Sequence, residues 1–329
     1  MGLDSADKAL LGKLQQSFPL VEEPFCELGQ SVGISAKETL ERVRDLKARH
    51  IIREICAIFD SRALGYQSTL VALSVPIDKL EAAAALISQH PGVSHNYARE
   101  YKYNLWFTLA LPPGEDMTKA SEKLAGQVGA GSSLVLPAIR VFKIGAFFRL
   151  SEQDEVTVDA GKDGYSSSEA VSTPVLTPAE IAIIRELQSD LPLEERPFRS
   201  TAEKLGIKES EVLNCAKDFL SRGLMRRFAA LLYHRKLGFL ANGMGCWRVP
   251  AERIEEVGKT FAALSQVTHC YQRVTHPHWN YNLFTMVHAP TREECLATIK
   301  TMAQKVNIND YIVLFSTKEF KKATVKYYW

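Results

Sequence analysis

No run of about eighteen apolar residues occurs in this chain, so nothing in it has the length of a membrane-spanning helix. The opening "MGLDSADKALLGKLQQ" lacks a basic start followed by an apolar core, which excludes a secretory signal peptide at this end. Six cysteines are scattered at 26, 56, 215, 246, 270 and 295 without a CxxC pair. That pattern argues against a disulfide framework or a zinc site and predicts a cytoplasmic protein. A dinucleotide-type GxGxxG fingerprint is also missing, so no dissociable redox cofactor is expected. Basic excess is small, with 40 Lys and Arg against 38 Asp and Glu in 329 residues. Such a balance does not predict DNA binding.

The charge is unevenly placed. Residues 1–150 hold 17 basic and 16 acidic groups, residues 151–175 hold 1 and 6, and the remainder 22 and 16. The C-terminal part is therefore net positive and suited to an anionic small molecule.

What the chain does have is a copy of itself. "QQSFPLVEEPF" at 15–25 matches "QSDLPLEERPF" at 188–198, and "VGISAKETLERVRDLKARHIIRE" at 32–54 matches "LGIKESEVLNCAKDFLSRGLMRR" at 205–227, both offset by 173. The offset is 174 at His95 and His269 and 178 at Asn104 and Asn282, so a four-residue insertion follows the second arginine. Two long copies mean tandem duplication rather than a solenoid. The acidic, Gly- and Ser-containing stretch 151–175 between them reads as a flexible linker.

Each copy reads as two units. Helical periodicity in "DKALLGKLQQ", a second helix ending near Gly33, and a third over about 36–48 precede the alternating "IIREICAIFD". Ser35 with Glu38 three residues on predicts a capping box. This order is a winged helix-turn-helix, expected over 1–60 and again over 176–233. The rest, 61–150 and 234–329, alternates strand and helix in the βαββαβ order of a ferredoxin-like domain. The fold class is thus α+β, a tandem duplication whose two sheets cover each other as an intramolecular pseudo-dimer. Further pairing of whole chains is left open.

The residues that suggest chemistry are also written twice. His95, Tyr97 and Arg99 alternate along one predicted strand, and His269, Tyr271 and Arg273 along its counterpart, so each trio projects from one sheet face. An imidazole titrating near neutral pH and a guanidinium fork for a carboxylate are the parts of an acid-assisted reaction on an anion. Inherited packing is the plainer reading of the same pattern. Arg140, Lys143, Lys318, Lys321 and Lys322 are further candidate cations, and Trp106, Trp279, Tyr281 and Phe284 candidate apolar cover, with Asn282 beside them. His276 and His278 stand in the insertion peculiar to the second copy. The predicted recognition helices carry Lys37, Arg42, Arg44 and Lys47 among acidic neighbours in one copy and little charge in the other, which predicts scaffold rather than DNA contact.

A winged helix before a ferredoxin-like domain resembles the Lrp/AsnC regulators. "HNYAREYKYNLWFTL", "HCYQRVTHPHWNYNLFTMVHAP", "FPLVEEPF" and "STKEFKKATVKYYW" are similar to the signatures of the two siroheme decarboxylase subunits, a branch of that family, here fused in one chain. The resemblance implies loss of carbon dioxide from two acetate arms of siroheme, at C12 and C18, giving 12,18-didecarboxysiroheme on a heme or denitrification-heme route. It also implies that iron arrives with the substrate, for which His276 or His278 is the candidate axial ligand. A ligand-responsive transcription regulator and a tetrapyrrole carrier are the competing readings. The two copies are expected to be unequal, the second having more cationic charge and the tail "YYW".

Overall fold

The computed structural model describes residues 2–144, 146–150, 156–160, 165–166, 174–233 and 241–329. No helix among them is long and apolar enough to cross a membrane. Much of the expected linker lies outside the described residues. Within it, β7 (Val156–Ala160) pairs with β6 (Ala146–Leu150), and β8 (Tyr165–Ser166) pairs with β5 (Ser132–Lys143).

The first helical unit comprises α1 (Ser5–Gln16), α2 (Pro24–Val32) and α3 (Ala36–Ala48), and the second α6 (Pro178–Leu187), α7 (Pro197–Leu205) and α8 (Glu209–Ser221). α2 stops because Gly33 takes the left-handed backbone at φ +78, where a Cβ would be strained. Ser35 caps α3 by accepting from the Glu38 N–H at 3.2 Å. The expected reciprocal bond of a capping box is replaced: the Glu38 carboxylate pairs with Arg42 at 2.9 Å instead. Arg42 also meets Asp4 and Asp7, Lys47 pairs with Asp190, and Arg44 donates to the Leu193 carbonyl. Three of the four basic groups of α3, Arg42, Arg44 and Lys47, are thus engaged inside the chain, in keeping with a scaffold role.

The wing is a correction. Each copy was expected to carry its own β-ribbon, but each supplies one strand, β1 (Ile52–Phe59) and β9 (Met225–Leu232), and these pair antiparallel with each other. An isolated strand leaves its backbone groups without ladder partners, so the ribbon forms only by joining the copies. Both helical units accordingly share one core, in which Phe18 packs against Phe198 and Phe228 at 6.3 and 5.7 Å. The C-terminal tail docks there too: Tyr327 is buried, with its hydroxyl 2.6 Å from that of Ser61.

The ferredoxin-like units follow the expected order. The first runs β2 (Gln67–Ser74), α4 (Leu80–Gln89), β3 (Val93–Arg99), β4 (Leu105–Leu111), α5 (Met117–Gln127) and β5. The second runs β10 (Ala241–Trp247), α9 (Ile254–Ala262), β11 (Val267–Arg273), β12 (Leu283–Ala289), α10 (Arg292–Val306) and β13 (Tyr311–Lys322). A turn of 3-10 helix follows Pro76 and Pro250 before α4 and α9.

Long β5 and β13 join the two sheets. Residues 132–137 of β5 pair with β2, and 138–143 with β11 of the other copy. Likewise 311–315 of β13 pair with β10, and 316–322 with β3. The strand order β11-β12-β10-β13-β3-β4-β2-β5 therefore closes on itself through β5 and β11. Closure leaves no free edge on these eight strands. Helices α4 and α5 cover one copy's outer face and α9 and α10 the other's, while Trp106, Leu134, Leu136, Met244, Cys246, Trp279, Phe284 and Leu314 fill the space between the sheets.

Asn104 and Asn282 hold equivalent loops. Each side chain donates to and accepts from one backbone unit, at Val75 (2.8 and 2.9 Å) and Val249 (2.8 and 2.9 Å). Asn282, expected at a substrate, is thus spent on the backbone. Asn282→Ala strands two polar groups and costs about 2 kcal/mol. Thermal melting is expected to fall by roughly 4–8 °C on that account, and an unchanged midpoint would contradict the assignment.

Candidate active site

Alternation along β3 and β11 sets the faces. Asn96 and Cys270 turn outward to the Ala84 carbonyl of α4 and the Gly258 carbonyl of α9. Their neighbours His95, Tyr97, Arg99 and His269, Tyr271, Arg273 turn inward, between the sheets. Each trio stacks as a row. The His95 and Tyr97 rings lie 6.2 Å apart, and the Arg99 guanidinium carbon lies 5.8 Å from the Tyr97 ring centre. In the second copy the distances are 5.9 Å and 4.8 Å.

The arginines cross between copies. Arg99 Nη1 donates to the Leu314 carbonyl and Arg273 Nη1 to the Leu136 carbonyl, both at 2.6 Å. These carbonyls sit where β13 and β5 change ladder partners. Arg99 is 4% exposed, and its Nε has no hydrogen-bond partner among the described residues. Burial lowers its pKa to about 10, and its nearest influences are the Cys246 thiol and Tyr97 phenol rather than a carboxylate. Among the described residues this buried cation meets a neutral carbonyl and an aromatic ring but no carboxylate, which is a costly arrangement.

His269 is electrostatically distinct. Burial first, then the charges of Lys322, Arg273 and Lys143, lower its pKa to about 4. The unfolded chain titrates near 6.5, so as pH falls below that value the unfolded state takes the proton first. Stability due to His269 is complete above pH 6.5 and falls by about 3 kcal/mol on approaching pH 4. Urea unfolding at pH 7 and pH 4.5 should show this loss in the parent and a smaller one in His269→Gln. Equal losses would contradict the burial.

Other expected site residues are engaged elsewhere, as symmetric staples between the copies. Arg140 pairs with Glu255 of α9 at 3.4 Å, and Lys318 with Glu81 of α4 at 2.7 Å. Lys143 donates to the Leu264 carbonyl at 2.6 Å, and Lys321 to the Ser88 carbonyl at 2.7 Å, each just past or within the end of the other copy's helix. Cations favour such helix ends. Trp106 is inter-sheet core, its indole N–H donating to the Tyr103 carbonyl, and it contacts Trp279 at 5.4 Å. Phe284 stacks on Trp279 at 6.3 Å in the same core. His276 and His278 form a hairpin tip: His276 and Trp279 exchange backbone bonds, and the His278 N–H donates to His276 Nδ1 at 3.2 Å. His278, Tyr101, Tyr281 and Arg248 line a cleft of about 250 Å³. The tip lies beyond the far end of β11 from His269, so the structure does not bring these histidines to the inward row.

Residues 63–143 and 236–321 match the AsnC-like ligand binding domain, and 7–53 and 180–226 the siroheme decarboxylase NirDL-like HTH domain. The siroheme decarboxylase of Hydrogenobacter thermophilus is 40% identical over 320 residues, covering 97% of this chain and 94% of that protein. The chain belongs to the siroheme decarboxylase family. It is the fused, single-chain form: the beta subunit from Methanosarcina barkeri, 42% identical, covers 45% of this chain with 97% of its own length. A crystal structure of the family member NirDL, in complex with an iron-uroporphyrin III analogue, superposes with a TM-score of 0.77 at 35% identity, covering 99% of this chain and 95% of that one.

Proposed function

We propose that this chain removes carbon dioxide from acetate side chains of siroheme, those at C12 and C18, yielding 12,18-didecarboxysiroheme in the cytoplasm. The carrying observation is Arg99, a buried guanidinium with no carboxylate beside it among the described residues, in a row with His95 and matched by Arg273 and His269. A polyanionic tetrapyrrole supplies the missing negative charge. The two copies act as a pseudo-dimer within one chain, and the iron belongs to the substrate.

Arg99 holds a carboxylate through donors not spent on Leu314, with Arg273 in the equivalent place of the second copy. A histidine gives a proton to the ring carbon next to the one bearing the acetate arm, which leaves the arm-bearing carbon electron-poor. The carbon–carboxylate bond then breaks toward the ring, releasing carbon dioxide and leaving an exocyclic methylene. A second proton turns the methylene into methyl as the ring carbon gives its proton back. One proton is consumed net, and no oxidant enters. His269, neutral in the empty protein, gains its proton when nearby carboxylates arrive and offset Lys322 and Lys143.

Anaerobic incubation with siroheme, followed by mass spectrometry, tests this reading. Loss of two carbon dioxide units per molecule is expected. Tight binding with unchanged mass would point to a carrier, and sequence-selective gel shifts without turnover to a regulator.

A further inference from the structure

Both histidines follow a fault in the strand. Along β3 the register steps from Val93 opposite Leu109 to His95 opposite Thr108, two residues against one. Along β11 it steps in the same way from Val267 opposite Val287 to His269 opposite Met286. Each is a β-bulge whose extra residue is Ser94 or Thr268. A bulge breaks alternation, so successive side chains no longer take opposite faces. The hydroxyls accordingly reach the neighbouring imidazoles: Ser94 Oγ lies 3.0 Å from His95 Nδ1, and Thr268 Oγ1 2.9 Å from His269 Nδ1. Both hydroxyl residues are buried, Thr268 completely.

The Thr268 hydroxyl has a second partner, donating its proton to the Met286 carbonyl at 3.3 Å. With that proton committed, the oxygen can only accept from His269. We infer that Thr268 is a positioning residue that fixes the imidazole as the Nδ1–H tautomer, leaving Nε2 to carry the working proton; Ser94 stands in the equivalent place beside His95. A carboxylate in the same place would also fix the tautomer, but it would set a negative charge against a polyanionic substrate. A hydroxyl orients the ring without that repulsion. The inference rests on His269 acting as the proton donor, but the tautomer itself is measurable without turnover.

The experiment is nitrogen NMR of the full chain with ¹⁵N-labelled histidine at pH 7, where His269 is neutral. The His269 signals are assigned by their absence in His269→Gln. Parent and Thr268→Ser are expected to show a protonated Nδ1. Thr268→Val, which keeps the shape and removes the acceptor, is expected to shift toward Nε2–H and to lose roughly tenfold or more in single-turnover decarboxylation, with Thr268→Ser restoring it. An Nε2–H signal in the parent overturns the inference outright, and so does an unmoved tautomer in Thr268→Val. Should the valine variant fail to fold, the parent spectrum still decides. A correct tautomer in a chain that leaves siroheme unchanged would instead overturn the proposed activity.

Discussion

His269→Ala lowers single-turnover decarboxylation by about 10²–10⁴-fold, the range that general acid catalysis supplies, while His95→Ala costs less. The asymmetry comes from surroundings. His269 is half-buried beside Lys322, Arg273 and Lys143, so its proton affinity depends on the substrate's charge. Binding of siroheme should therefore be accompanied by proton uptake at neutral pH, an uptake absent in His269→Ala. Rapid-mixing absorbance with a pH indicator measures it alongside the rate. Equal rate losses in the two single variants, or uptake that survives the removal of His269, would show that the copies are not specialised in this way.

Arg99→Met is expected to separate binding from folding. Methionine relieves the chain of a buried charge, a change that is often neutral or stabilising. Against that stands the Leu314 carbonyl, which loses its donor and costs about 1–3 kcal/mol. The terms nearly cancel, so the urea midpoint should move little. Siroheme affinity should not be spared. Truncating one partner of a buried charge pair costs about 2–5 kcal/mol, or roughly 30- to 3,000-fold in Kd. Fluorescence quenching by siroheme reads the affinity. Undiminished binding together with a collapse in stability would make Arg99 a structural brace and nothing more.

Much of the architecture was legible from the sequence because it rests on local signals. The offset near 173 revealed the duplication, Gly33 the end of α2, and alternation in "VSHNYAR" the inward row. Signals failed where the partner was far along the chain. Nothing in "IIREICAIF" says that its ribbon partner is "MRRFAALL", because either could have paired within its own copy. Arg140, Lys143, Lys318 and Lys321 looked like substrate cations, since a strand-end cation looks alike whether it meets a ligand or the other copy's helix. Their symmetric partners Glu255, Leu264, Glu81 and Ser88 become visible only in three dimensions. Trp106, Trp279 and Phe284, expected as apolar cover for a ligand, fill the space between the sheets as core. The bulges escaped notice for a different reason: a step in register depends on two strands at once, and Ser94 and Thr268 carry no mark of it in sequence.

The most direct test uses the double variant His95→Ala/His269→Ala, loaded anaerobically with siroheme and followed by absorbance and mass in a single turnover. The bound absorbance should appear and the mass should stay that of siroheme for as long as the parent takes to shed both carbon dioxide units. Release of both units at the parent's rate would show that neither inward-facing imidazole supplies the proton.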